Sequence, residues 1–346
     1  MQKGNKESKQ QNLLADAKVS VIGGGSWATA LSKILLNNLD QISWWVRRKE
    51  VAEHIEKYGH NPNYISSIEF DRKALNVSTD LKETIKESDV IFLVIPSAFL
   101  HTEFTHAGIT PEDLKDKIIV SAIKGIIPEF TLIPAAYLNE HFGVEYNNMA
   151  IVAGPCHAEE VAHERLSYLT IATPTRGKAY AIADLLRCRY INVNRNDDLV
   201  GTEYSAIMKN VYAIAAGICF GIGYGDNFMA VLLSNAIRET ERFVDHVYPK
   251  HRDVKTSAYL GDLLVTAYSQ YSRNRTFGNM IGKGHSVKFA QLEMKMVAEG
   301  YYASNCVNEI QKKFELELPI ADAVYKCLYE GKNPKRTFAA IQGLLK

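Results

Sequence analysis

The chain has 346 residues, 47% apolar and 23% charged, a length and composition that suit a soluble globular protein with room for two cores. Forty Lys and Arg face 39 Asp and Glu, so the net charge of +1 gives no overall attraction for nucleic acid or an acidic membrane surface. Five cysteines form no C-x-x-C pair and no apolar run approaches the ~18 residues of a membrane span, which argues against a disulfide framework, a zinc site and a spanning helix and fits a reducing cytoplasm.

Residues 1–17 begin polar and lack the apolar stretch of a signal peptide, so they read as a flexible tail. A short β-branched strand at 19–22 then runs into Gly23-Gly24-Gly25-Ser26-Trp27-Ala28, a G-x-G-x-x-A turn that opens a helical segment. Strand, glycine turn and helix N-terminus together bind a dinucleotide pyrophosphate. Gly23 permits the tight turn, Gly25 lets the backbone approach the phosphates, and Ala28 keeps helix and strand close. The next strand, 42–46, runs into Arg47-Arg48, with no acid before Glu50 to take the ribose hydroxyls. Two guanidinium groups suit a 2′-phosphate and favour NADP over NAD; a solvated basic turn has the same composition.

Further strands are expected at 90–95, 118–123, 151–153, 169–172 and 190–193, several apolar at every position as in a sheet buried on both faces. Residues 18–195 therefore read as a doubly wound, mostly parallel α/β sheet of Rossmann type. Lys124 follows the run Ile118–Ile123 and lies at the carboxyl end of a strand, where open α/β sheets bind ligands. From 196 to 346 the strands stop and helices are expected at 203–220, 229–248, 289–297, 306–314 and 319–330. Proline and glycine near 248–249 and 277–283 are read as breaks between them. Lys209 sits inside the first of these helices beside Asn210, followed by the small residues Ala213, Ala215, Ala216 and Gly217. Buried lysines are costly, although a lysine can also snorkel to water. Asp262, in Gly261-Asp262-Leu263, and the donors Ser272-Arg273-Asn274 suit a phosphate or polyol; a capped, solvated loop would look the same. An all-helical second half places a cleft between the halves.

Taken in order, Gly23–Leu31, Asn61-Pro62-Asn63-Tyr64, Ile95-Pro96-Ser97, Ser121–Ile126, Gly154–Val161, Lys209-Asn210, Gly261-Asp262-Leu263, Ser272-Arg273-Asn274 and Val297-Ala298-Glu299-Gly300 resemble the bacterial type of NAD(P)-dependent glycerol-3-phosphate dehydrogenases. The resemblance implies reversible hydride transfer between NAD(P)H and dihydroxyacetone phosphate giving sn-glycerol 3-phosphate, a step toward glycerophospholipids. It implies Lys209 as catalytic acid/base and Lys124 as a contact of substrate and cofactor. Gly154, Cys156, Asp262, Ser272, Arg273 and Asn274 would hold the substrate. Gly23, Gly25, Ser26, Trp27, Arg47, Tyr64, Ala158, Arg273, Val297 and Glu299 would hold the cofactor, and Arg48 is added from its place beside Arg47. A homodimer is expected by analogy.

The chain departs from the family at Ala28, where Gly is frequent, at Cys156, where Ser or Asn is usual, and at His157, where Phe is common. A thiol is a weak donor, which weakens the Cys156 assignment and leaves a reactive thiol as an alternative. The family's Thr-Arg-Gly segment is altered around Ala236–Glu239, so Arg238 receives no role. Hydroxyacid dehydrogenases and ketopantoate reductases share this architecture, but the Gly-Asp-Leu and Ser-Arg-Asn pair argues against them. A catalytically silent dinucleotide-binding regulator is countered by Lys124, Lys209 and Asp262.

Overall fold

The computed structural model describes residue 14, residues 16–294 and residues 298–346. Most of the expected tail, and Val297 among the expected cofactor contacts, lie outside the described residues. Leu14 is buried against the first core and accepts the Ala17 amide at 3.2 Å, so packing begins within the expected tail.

Among the described residues eight strands form one sheet: β1 (Val19–Ile22), β2 (Ile42–Trp45), β3 (Leu75–Ser78), β4 (Val90–Leu93), β5 (Ile118–Ser121), β6 (Met149–Ala153), β7 (Ser167–Ala172) and β8 (Ile191–Asn196). Their order is β3-β2-β1-β4-β5-β6-β7-β8, parallel throughout except where β6 meets β7. The helices between them are α1 (Ser26–Leu35), α2 (Lys49–Tyr58), α3 (Leu81–Lys86), α4 (Ser97–His106), α5 (Pro111–Leu114), α6 (Pro134–Phe142), α7 (Ala158–Ala162) and α8 (Arg176–Leu186). The uniformly apolar strands β1 and β4 are buried along their whole length, as continuous Val/Ile/Leu runs require. Strand β3 was not anticipated. Its Leu-Asn-Val-Ser pattern is short and half polar because it pairs only with β2 and forms the sheet edge.

Among the described residues eight α-helices follow: α9 (Leu199–Gly221), α10 (Asp226–Val247), α11 (Asp262–Tyr268), α12 (Arg273–Gly282), α13 (Val287–Glu293), α14 (Glu299–Lys313), α15 (Pro319–Tyr329) and α16 (Pro334–Ile341). A π-helical turn, Ser257–Gly261, leads straight into α11. Helix α9 is apolar on nearly every face and sits in the middle of this half, packed by α10, α11, α12, α14 and α15 and against β6.

Two expectations for this half are corrected. The break expected at 277–283 falls inside α12. A Cβ on Gly278 or Gly282 would overlap the Ile214 or Ile218 carbonyl oxygen of α9, and one on Gly217 or Gly221 would overlap the backbone oxygen of Arg275 or Asn279. These glycines let two helix backbones touch; they do not punctuate. The helix expected at 289–297 ends at Glu293, where Met294 turns extended (φ −80°, ψ 117°), and the next begins at Glu299, well before the expected residue 306.

Two helices that start with proline have no side-chain cap of their own and borrow one from across the core. Glu203 of α9 accepts the Ala135 amide of α6 at 3.0 Å. Glu239 of α10 accepts the Ile320 and Ala321 amides of α15 at 2.8 and 3.2 Å. Burial pushes the Glu203 carboxyl up to about 8 and the Glu239 carboxyl up to about 7.

Candidate active site

The glycine turn is held from three sides. Gly23 has φ +141°, and a Cβ there would press on the Val94 carbonyl at 2.5 Å. The buried Trp44 indole donates to the Gly23 carbonyl at 2.7 Å, and the Gly23 amide donates to Trp45 at 3.0 Å. The fully buried Asn61 amide donates to the Gly24 carbonyl at 3.1 Å and to Thr29 Oγ1 at 3.0 Å. Around Gly25 there is open space where a Cβ would project, and α1 has no side-chain cap. Its free first-turn amides therefore offer the anion cradle that a dinucleotide pyrophosphate requires, and the residues present fit that group.

A cavity of about 350 Å³ opens beside this turn, lined by Gly23, Gly25, Arg47, Arg48 and Tyr64, with Arg273 and Glu299 reaching in from the helical half. Arg47 lies 3.1 Å from Glu103 of α4, and Arg48 lies 3.6 Å from Glu50. Three hydrogen bonds from two residues of the helical half, Arg273 and Glu299, reach across the cavity. Arg273 Nη2 donates to Ser26 Oγ at 3.0 Å. Glu299 accepts the Ser97 hydroxyl at 2.6 Å and the Ser97 amide at 3.2 Å.

A second cavity of about 230 Å³ shares Gly25, Arg273 and Glu299 with the first and reaches Ser26, Trp27, Lys124, Cys156, Ala158, Lys209, Asp262, Ser272 and Asn274. At its floor two lysines converge on one carboxylate. Lys209 Nζ, from the buried middle of α9, pairs with Asp262 Oδ1 at the start of α11. Lys124 Nζ, beyond β5, lies 3.9 Å from Asp262 Oδ2 and 5.7 Å from the Trp27 ring centroid. Gly154 does not line the cavity; its amide donates to Asp262 Oδ2 at 3.3 Å and steadies the carboxylate from beneath. Asn210, next to Lys209, donates to the Lys124 carbonyl at 2.8 Å and fixes the two lysine segments to one another.

Burial pulls the Lys209 ammonium down to about 7; Asp262 opposes the fall and Lys124 adds to it. Burial also lowers His157 to about 4, so that imidazole is neutral near pH 7. Cys156 moves the other way. Burial raises its thiol to about 12, opposite to the lowered value that a reactive cysteine needs. Helix α12 begins at the cavity: Ser272 is its cap, accepting the Arg275 amide at 3.3 Å, and Asn274 accepts the Gly300 amide at 2.9 Å. The guanidinium of Arg273 and the N-terminal end of the helix place positive potential at one end of the cavity.

The family models for the N-terminus and the C-terminus of NAD-dependent glycerol-3-phosphate dehydrogenase match residues 18–179 and 198–339. A glycerol-3-phosphate dehydrogenase [NAD(P)+] of Salinibacter ruber is 35% identical over 318 residues, which is 92% of each chain. The chain belongs to the NAD-dependent glycerol-3-phosphate dehydrogenase family. A relative of the same name from Bacillus velezensis is 30% identical over 330 residues, 95% of each chain. The crystal structure of glycerol-3-phosphate dehydrogenase from Coxiella burnetii superposes with a TM-score of 0.87 at 26% identity, covering 94% of this chain and 99% of that one.

Sequence reasoning within the family frame passed over four residues. Asn61 and Ser97 stand in quoted motifs, yet nothing in the sequence announces that one clamps the glycine turn and the other receives Glu299. Glu103 and Phe99 look like ordinary helix residues and meet Arg47 only through the strand order.

Proposed function

We propose that this chain catalyses reversible reduction of dihydroxyacetone phosphate to sn-glycerol 3-phosphate, with Lys209 as the proton donor and acceptor. The observation that carries this is the buried Lys209–Asp262 pair at the floor of a cavity that opens onto the glycine turn. NADPH or NADH, held by the α1 amides, Ser26, Trp27, Arg47, Arg48, Tyr64, Ala158 and Glu299, supplies the hydride when bound. Arg273, Ser272 and Asn274 at the start of α12 anchor the substrate phosphate. That places the ketone near the lysine pair.

As C2 of the ketone is reduced, negative charge grows on its oxygen. The ammonium groups of Lys124 and Lys209 meet that charge, and Lys209 gives up its proton to the oxygen. Asp262 sets the direction of the Lys209 Nζ and restores its attraction for a proton from water after turnover. Gly154 and Asn210 act behind them as positioning residues. Cys156 and Ala158 shape the wall.

The absence of any helix long and apolar enough to cross a membrane among the described residues, together with five free cysteines, supports a cytoplasmic setting. A homodimer fits the exposed Leu264, Tyr268 and Leu292 of the helical half, and sedimentation would test it. The decisive assay follows cofactor absorbance with dihydroxyacetone phosphate, using NADPH and NADH in parallel. Substrate-dependent oxidation is expected, and the joint variant Arg47→Ala, Arg48→Ala should weaken NADPH more than NADH. Tight cofactor binding without oxidation would reject the assignment.

A further inference from the structure

Arg47 does not stand free at the mouth of the nucleotide cavity. Its Nη1 lies 3.1 Å from Glu103 Oε1, and its guanidinium carbon lies 5.8 Å from the Phe99 ring centroid. Phe99 and Glu103 are four residues apart on α4 and so share one helix face. The sheet order explains the meeting. Strands β2 and β4 flank β1, so the segment after β2 and the helix after β4 bracket the glycine turn from opposite sides. The Glu103 side chain is 13% exposed and that of Arg47 60% exposed, which makes the carboxylate the fixed partner and the guanidinium the movable one. Arg48 is differently placed, half exposed and facing a Glu50 that is 70% exposed.

We infer that Glu103 is a positioning residue for cofactor selectivity: it competes with a 2′-phosphate for Arg47 and so tempers the preference for NADPH. The inference rests on the reading of Arg47 at the cofactor's 2′ position. A 2′-phosphate brought to Arg47 must share the guanidinium with a carboxylate that cannot retreat into water, and it is repelled by that same charge. A 2′-hydroxyl carries no charge and meets no such opposition. The pair of arginines thus overstates the pull on NADP, because one of the two is already engaged.

The test is calorimetric titration of NADPH and of NADH into the wild type, Glu103→Gln, Arg47→Ala and the double variant. Gln keeps the shape and a hydrogen-bond acceptor but removes the charge. Glu103→Gln should tighten NADPH relative to NADH by about three- to tenfold, the scale of one partly screened like charge. In the Arg47→Ala background the same substitution should shift the ratio by less than about twofold, since the effect runs through Arg47. An unchanged ratio, a shift toward NADH, or a full effect persisting without Arg47 would overturn the inference. Binding is read without turnover, so an enzyme that fails to oxidise cofactor with dihydroxyacetone phosphate would reject the proposed reaction and leave this result standing.

Discussion

Lys209 is the residue on which the proposed chemistry turns, and its surroundings decide how it titrates. Burial wins over the attraction of Asp262 and brings the ammonium to about 7. Ketone reduction, which needs the protonated form, should therefore fall as pH rises through about 7, while oxidation of glycerol 3-phosphate should rise over the same window. Asp262→Asn removes the group that raises the lysine's pKa, so both limbs should move to lower pH; pH profiles of kcat in the two directions check this. Lys209→Ala should lower kcat by about a thousandfold or more with NADPH affinity largely kept, as expected for loss of a group acting on the reacting atoms. Near-normal turnover in that variant would remove Lys209 from its role. The sequence marks both lysines as unusual for their apolar surroundings, whereas Asp262 reads as a polar contact that a capped, solvated loop would also explain. That Asp262 could pair with a lysine is legible but left open, because residues 124, 209 and 262 meet only when β5, α9 and α11 are assembled.

At the scale of elements, strands were legible wherever every position was apolar, and least so at β3, where pairing on one side leaves a polar pattern. Glycine misled in the other direction. A glycine in a helical stretch is ordinarily a stop, and only the facing helix reveals that Gly278 and Gly282 serve a backbone contact with α9. Gly278→Ala should accordingly cost about 1–3 kcal/mol of stability from overpacking, despite alanine's better helix propensity. Chemical denaturation would show it. A neutral or stabilised Gly278→Ala protein would mean that the two helices part freely.

Across the whole molecule, the hydrophobic cores were readable as a class, but the two buried carboxyl caps were not. Glu203 sits in the apolar helix α9 and Glu239 on the buried face of α10, and their partners are amides more than sixty residues away in sequence. Raised to about 8 in the fold from an ordinary 4.5, Glu203 binds its proton more tightly folded than unfolded. Its stabilising contribution is whole below about pH 4.5 and is lost as pH rises through about 8. Glu203→Gln should remove that share of the loss, so the melting temperature of the variant should fall less steeply than that of the wild type between about pH 5 and 8. Equal slopes for the two proteins would show that the carboxyl does not hold a proton in the fold.

The touching backbones of α9 and α12 also bear on which molecules the enzyme can accept. Lys209 rides on α9, and the Ser272–Asn274 anchor opens α12. No side chain separates the helices at Gly217 and Gly278, so the two backbones that carry the proposed proton donor and the proposed phosphate anchor are held at contact distance. The pair works as a fixed gauge. On the proposed reading, a backbone spacing set in this way would favour one number of carbons between a carbonyl and its phosphate.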